Sequence, residues 1–291
     1  PDLRRFYVDD DPNQQVWVLV VSVNPGGPNG GCGTQYFLGS FEQRDGKMMF
    51  ITTQTEIKWL DWGTDNYAGV GWTNLEDSSF AGRVLSIGWM NNWIYAYKTP
   101  TSEWRGVMTM IRELKLETFD DDLVLTCRPA HIYDQLVGQE LCQSSNIKLN
   151  RVTKIGSGLS ASRLRIRFTC KGASEVGIEL SNSLGDVTRI GYERNENIFY
   201  IDRTKSGDVD FAEGFKGKHS AIAKKTYEHF ELEVFIDLCS IEVFINNAEY
   251  AMTELIFHVE QLSSIKPFAE GNASISSFDV REIGAIKKHC D

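Results

Sequence analysis

Long apolar runs, basic charge and helical periodicity are all scarce in this 291-residue sequence. No run of about 18 apolar residues occurs, which excludes a membrane-spanning helix. Lys and Arg number 30 against 40 for Asp and Glu, a formal net charge of −10. Nucleic acid and anionic membranes are thereby disfavoured as partners, because both require a basic face. The six cysteines (Cys32, Cys127, Cys142, Cys170, Cys239 and Cys290) contain no C-x-x-C pair, against a zinc knuckle or a thioredoxin-type site. Cys127 and Cys142 are close enough in sequence for a local disulfide, but sequence does not fix the pairing. His131, His219, His229, His258 and His289 share no ligand spacing, so neither a metal nor a cofactor is expected. The chain opens at Pro1 with neither Met nor an apolar leader, and reads as a processed product or a piece of something longer.

What is present is alternation with period two. Residues 16–23, "VWVLVVSV", form a nearly continuous apolar run suited to a strand buried on both faces. "RLRIRFTC" (163–170) alternates Leu164, Ile166, Phe168 and Cys170 against three arginines. "ELEVFIDL" and "SIEVFINN" repeat the pattern over 231–247, with Asn246 and Asn247 as a turn. Within the second of these, Glu242 and Phe244 fall on the outward face, read as solvated or as a subunit contact. Residues 132–145, "IYDQLVGQELCQSS", are the one candidate for a short helix. The expected class is all-β.

Trp, Gly and Asn concentrate before residue 117, and Trp is absent from 146 onward. We expect a β-sandwich over 146–291, a linker over 126–145, and a different β unit over 1–125. Turn signals at 24–33, 42–47, 61–66 and 77–82 give that first unit the spacing of four-stranded propeller blades. Its length supplies two or so blades, whereas a closed propeller needs at least about four.

Residues 88–106, "GWMNNWIYAYKTPTSEWRG", hold three of the seven tryptophans beside adjacent asparagines. Flat rings next to amides and hydroxyls suit a sugar: ring C–H faces pack on aromatics, and buried hydroxyls need hydrogen-bonding partners. Trp89 and Trp93 fit either a cleft wall or the core of a blade. Asp61, in "DWGTDN", fits either a sugar hydroxyl contact or the cap of its own turn. Trp104, Arg105 and Gly106 read as structural, with Arg105 pairing a carboxylate between blades. The "DRTKSG" segment at 202–207 reads as a turn or an element of the domain interface.

Several stretches together resemble glycoside hydrolase family 32, the β-fructofuranosidases (invertases, inulinases and levanases). They are "NPGGPNGGCGTQYFLGSF" (24–41), "DWGTDNYA" (61–68), the block "RVLSIGWMNNWIYAYKTPTSEWRGVMTMIREL" (83–114) and, in the second unit, "YIDRTKSGDVDF" and "FIDLCSIEVFIN". Departures from the family pattern fall at Cys32, Asn66, Ile111, Leu238 and Cys239. The resemblance implies a five-bladed β-propeller followed by a β-sandwich, of which this chain holds the last two or so blades and the sandwich.

The resemblance also implies a retaining mechanism, with a nucleophilic Asp in "WMNDPNG", a stabilising Asp in "RDP" and an acid/base Glu in "EC". Retention needs two carboxyls about 5–5.5 Å apart. Neither "NDPNG" nor "RDP" occurs in this sequence. In the family "EC" directly precedes "PDL" or something close to it, and this chain opens on "PDL", so no catalytic residue is expected in it. Asp61, Trp89 and Trp93 are the candidate substrate contacts, and sucrose or a fructan the expected ligand. An N-terminal half of the same enzyme is the expected partner, and a homo-oligomer is compatible. The alternative is a truncated, non-catalytic fructoside-binding or interaction module. A sequon at Asn272 and the resemblance suit a glycoprotein in an extracellular or vacuolar location.

Overall fold

The computed structural model describes residues 1–72, 84–149, 156–157, 159 and 161–284. The expected turn at 77–82, His289 and Cys290 lie outside the described residues. Strand dominates, and the described helix is confined to short 3-10 segments such as Ala96–Lys98 and His131–Leu136. Among the described residues no helix is long and apolar enough to cross a membrane.

The first sheet has ten strands and is built from two antiparallel four-stranded sets. Asp2–Val8, Asp11–Val23, Gly33–Arg44 and Lys47–Ile51 pair in chain order as one meander. Tyr67–Gly71, Val84–Met90, Arg112–Phe119 and Asp122–Pro129 form the second. A single parallel bridge, Val8 to Leu116, joins them. Each set is one propeller blade in size and connectivity. The apolar run at 16–23 is less buried than its composition suggests: Val18 is fully buried and its strand neighbours only partly.

Two six-stranded antiparallel sheets make up the second unit. The alternation in "RLRIRFTC" works as read: Leu164, Ile166 and Phe168 point into a core shared with Val176, Ile178 and Leu180 of the facing sheet. Arg163, Arg165 and Arg167 lie on the other face, paired to Glu233 and Glu231 of the neighbouring strand. Asn246, Asn247 and Ala248 take positive φ and reverse the chain between Ser240–Ile245 and Tyr250–Leu255.

Residues 132–145 do not form the expected helix. A 3-10 turn, His131–Leu136, leads into the strand Val137–Lys148, which runs through the segment expected as a linker. That strand is a sheet edge paired to Ser274–Ile283 with two register shifts, so its polar residues face water and its alternation is broken. Nor is there a disulfide between Cys127 and Cys142, because the Cys127 thiol is free and donates to the Leu60 carbonyl at 3.1 Å.

Every residue of Ser240–Ile245 and Tyr250–Leu255 is buried. Two layers cover them. Ile241, Val243 and Ile245 face the sandwich core, while Phe244 joins Phe6, Val18, Leu114 and Leu116 in a second core against the blades. Glu242 and Phe244 are therefore neither solvated nor a subunit contact.

The segment 61–65 seals the joint. Tyr250–Leu255 is the last strand of its sheet, an edge that would present unpaired backbone groups to solvent. Trp62 N–H donates to the Ala251 carbonyl at 2.8 Å and Asp65 N–H to that of Thr253 at 3.1 Å. The loop thus lies along the edge and satisfies two of its carbonyls, with residues 63–65 forming a bend. Gly63 permits the approach, since a Cβ there would stand 2.2 Å from the Thr253 nitrogen and oxygen.

Candidate functional site

Two buried ionic knots fix the blades to the sandwich. In the first, Arg112 donates to Asp61 at 2.7 Å, to Glu242 at 2.6 Å and to Thr253 Oγ1 at 2.5 Å. In the second, the fully buried Arg203 contacts Asp65 and Glu254 at 2.7 Å each and Tyr95 Oη at 3.0 Å. It also donates to the Phe215 carbonyl at 2.6 Å, and its guanidinium lies 3.8 Å from the centre of that residue's ring. The "DRTKSG" segment is thus an interface element through Arg203.

Burial shapes the acids of both knots. It pushes Glu242 above the usual carboxylate range despite the adjacent Arg112. Desolvation likewise raises Asp65, against the pull of Arg203. In Glu254 the same burial is outweighed by His219 and Arg203, which hold it below its ordinary value. A buried carboxylate stripped of its cation is costly, so these pairs bind the two units together.

Asp61 belongs to the first knot and is not available to a sugar. It is 1% exposed. Its Oδ1 accepts from the N–H groups of Gly63 at 2.8 Å and Thr253 at 3.0 Å. Its Oδ2 accepts from Arg112 at 2.7 Å, Thr253 Oγ1 at 2.6 Å and Asn66 Nδ2 at 3.1 Å. Two carboxylate oxygens offer about four lone-pair sites, so none is left for a ligand hydroxyl. Of the two readings of Asp61, the turn cap is the one the geometry contains, extended into a clamp on the sandwich edge.

The candidate tryptophans lie elsewhere: Trp89 near the end of the strand Val84–Met90 and Trp93 on the loop that follows it. Asn91, Asn92, Tyr95 and Ala96 turn inward while Trp93, Ile94, Tyr97 and Lys98 turn outward. Asn92 is the hub: its Nδ2 donates to the Thr64 carbonyl at 2.9 Å, and its Oδ1 accepts from the N–H groups of Ile94 at 3.1 Å and Cys32 at 3.4 Å. Gly31 has φ +62° and leaves room for that amide, since a Cβ would stand 2.1 Å from Asn92 Oδ1. Trp93 N–H completes the fixing with a 3.4 Å contact to Cys32 Sγ. The glycine-rich stretch 24–33 and the 61–66 loop therefore hold the aromatic loop from beneath.

On the outer side, the strand residues Tyr67 and Trp89 and the loop residues Trp93 and Tyr97 form a row of rings. Trp89 and Trp93 are 4.8 Å apart between centroids, Trp93 and Tyr97 5.6 Å, and Tyr67 meets Trp89 edge-on at 6.3 Å. Trp89 is partly buried, Trp93 is 43% exposed and Tyr97 is 72% exposed. The row thus grades from blade core to open surface. Among the described residues Arg105 pairs with no carboxylate; it donates to the carbonyls of Tyr97, Thr99 and Thr101 and ties down the far side of the loop.

Sequence reasoning misses Tyr97, although the spacing of four from Trp89 to Trp93 to Tyr97 is a signal that could find it. Arg112 and Arg203 are not legible as anchors, because most of their partners are remote in sequence: Glu242 lies 130 positions from Arg112, and Asp65 138 from Arg203. Among the described residues no group of three or more His, Cys, Asp or Glu side chains is placed to hold a metal ion.

Comparison with known proteins agrees with this architecture. The levanase of Bacillus subtilis (strain 168) is 30% identical over 293 residues, a match covering 98% of this chain and 42% of the levanase. The extracellular exo-inulinase of Aspergillus awamori is 29% identical over 260 residues, 85% of this chain and 48% of that protein. The crystal structure of exo-inulinase from the same organism superposes with a TM-score of 0.79 at 27% identity, covering 97% of this chain and 56% of that one. The chain spans about half the length of the relatives it matches. The N-terminal domain model of glycosyl hydrolases family 32 matches residues 1–127 and the C-terminal model residues 133–282. The two blades are part of a propeller, the second unit is the family's β-sandwich, and the chain belongs to glycosyl hydrolase family 32.

Proposed function

We propose that this chain is the C-terminal part of a β-fructofuranosidase and supplies one wall of its sugar cleft, with Trp89 and Trp93 as the stacking faces. The observation that carries the reading is the row of rings running from the end of the strand Val84–Met90 onto a loop fixed from both sides. Such a surface costs little to organise when a ligand arrives, because its side chains are already held. The names of the relatives, levanase and exo-inulinase, support a fructan or a related β-fructoside as ligand. The Aspergillus relative's description as extracellular supports a secreted location.

The acid/base chemistry belongs to sequence outside this chain. The buried acids Asp61, Asp65, Glu242 and Glu254 are all bound to arginines at the joint. None of these flanks an accessible bond, as the pair of a retaining glycosidase must. The partner is an N-terminal half carrying the remaining blades.

Calorimetric titration of the purified chain with sucrose and short inulins tests the reading. Heat of binding that disappears in Trp93→Ala, with the thermal midpoint unchanged, supports it. Equal binding by the wild type and that variant would remove Trp93 from the wall.

A further inference from the structure

Tyr97 is the most exposed member of the aromatic row, and nothing in the family block singles it out. It sits in the 3-10 turn Ala96–Lys98, four residues after Trp93, where the inward side chains Tyr95 and Ala96 are buried. Tyr95 anchors the turn by donating to Asp65 at 2.6 Å and accepting from Arg203 at 3.0 Å. Arg105 grips the turn from outside through the Tyr97 and Thr99 carbonyls. The backbone under Tyr97 is therefore held on both sides while 72% of the residue is open to solvent.

The row has direction. Trp89 is rooted in a strand, Trp93 is half-exposed, and Tyr97 lies farthest out, at successive separations of 4.8 and 5.6 Å. At these separations the rings touch one another and make one continuous apolar surface. The chain after Tyr97 is polar: Lys98, Ser102 and Glu103 are exposed and Thr101 is partly exposed. A sugar unit lying there has a ring for its C–H face and hydrogen-bonding groups for its hydroxyls.

We propose that Tyr97 forms a separate outer binding position for a further sugar unit of a fructan, beyond the unit or units held at Trp89 and Trp93. The proposal rests on the reading of those two tryptophans as the cleft wall and adds a preference to it. A disaccharide ends before Tyr97, whereas a longer chain reaches it. Chain length is then discriminated by contact energy at Tyr97, not by a closed pocket.

Isothermal titration of the 291-residue chain with sucrose and with inulin fragments of three, four and five sugar units separates the possibilities. Affinity is expected to rise with length in the wild type. Tyr97→Ala should weaken the longest fragment about 3- to 10-fold, the loss of one aromatic contact, and leave sucrose within about 2-fold. Tyr97→Phe, which keeps the ring, should restore the length dependence. Near-ultraviolet circular dichroism confirms that each variant keeps its fold. A length dependence identical in wild type and Tyr97→Ala overturns the outer position while leaving the cleft wall standing. A wild type that binds none of the sugars overturns both.

Discussion

Arg112 Nη2 and Glu242 Oε2 lie 2.6 Å apart, both side chains buried, although 130 positions separate them in sequence. One belongs to the last propeller blade and the other to the inner sheet of the sandwich. Arg112 also bonds Asp61, so a single guanidinium compensates two buried carboxylates. Arg112→Met leaves both acids without their cation and is expected to destabilise the chain by about 3–5 kcal/mol. Glu242→Gln keeps a hydrogen-bonding oxygen for the Met110 N–H at 2.8 Å and should cost distinctly less. Urea denaturation of the three proteins checks the order, which a purely superficial ion pair would not produce.

Gly63 lets the 61–65 segment reach the sandwich edge. Alanine there would drive its Cβ into the Thr253 backbone, and backbone cannot swing aside as a side chain can. The expected cost of Gly63→Ala is about 2–4 kcal/mol, on the scale of overpacking in a core. Thermal denaturation gives the answer directly. A midpoint within about a degree of wild type, far less than such a cost implies, would mean that the segment is not pressed against the strand.

His258 makes stability depend on pH. Its imidazole Nε2 is 3.1 Å from Thr188 Oγ1, and burial pulls its pKa down to about 4 from an ordinary 6.5. The unfolded chain therefore binds more protons than the folded one between these values, and stability rises with pH across that window. The contribution is complete above about 6.5 and lost as pH falls through about 4, roughly 1–3 kcal/mol in all. His258→Gln should flatten that part of the profile in urea melts at about pH 4.5, 5.5 and 7. An unchanged slope would assign the acid sensitivity to other groups.

Period-two alternation is enough to read the all-β class and the buried face of 163–170, because one covered face and one wet face leave that pattern. It cannot show that Ser240–Ile245 is covered on both sides. That depends on a second layer, formed by Phe6, Val18, Leu114 and Leu116, which is remote in sequence. Glu242 looks like a surface residue for the same reason, and Asp61 like a ligand contact. A buried salt bridge leaves no local signature, since each partner alone looks like an exposed charge. The strand at 137–148 escapes notice because an edge strand with register shifts and mostly polar residues loses the alternation that marks a strand. Trp93 is legible as a candidate, and its setting is not: the Cys32 and Asn92 contacts that hold it come from tertiary structure.

The most direct measurement is of fructose release from sucrose and inulin by the purified 291-residue chain, alone and after refolding with a polypeptide that carries the family's N-terminal blades. The expected result is a rate for the chain alone indistinguishable from buffer, with hydrolysis appearing when the two are combined. Release of fructose by the chain alone at an enzymatic rate would contradict the central claim, because a working pair of carboxylates would then have to lie within residues 1–291.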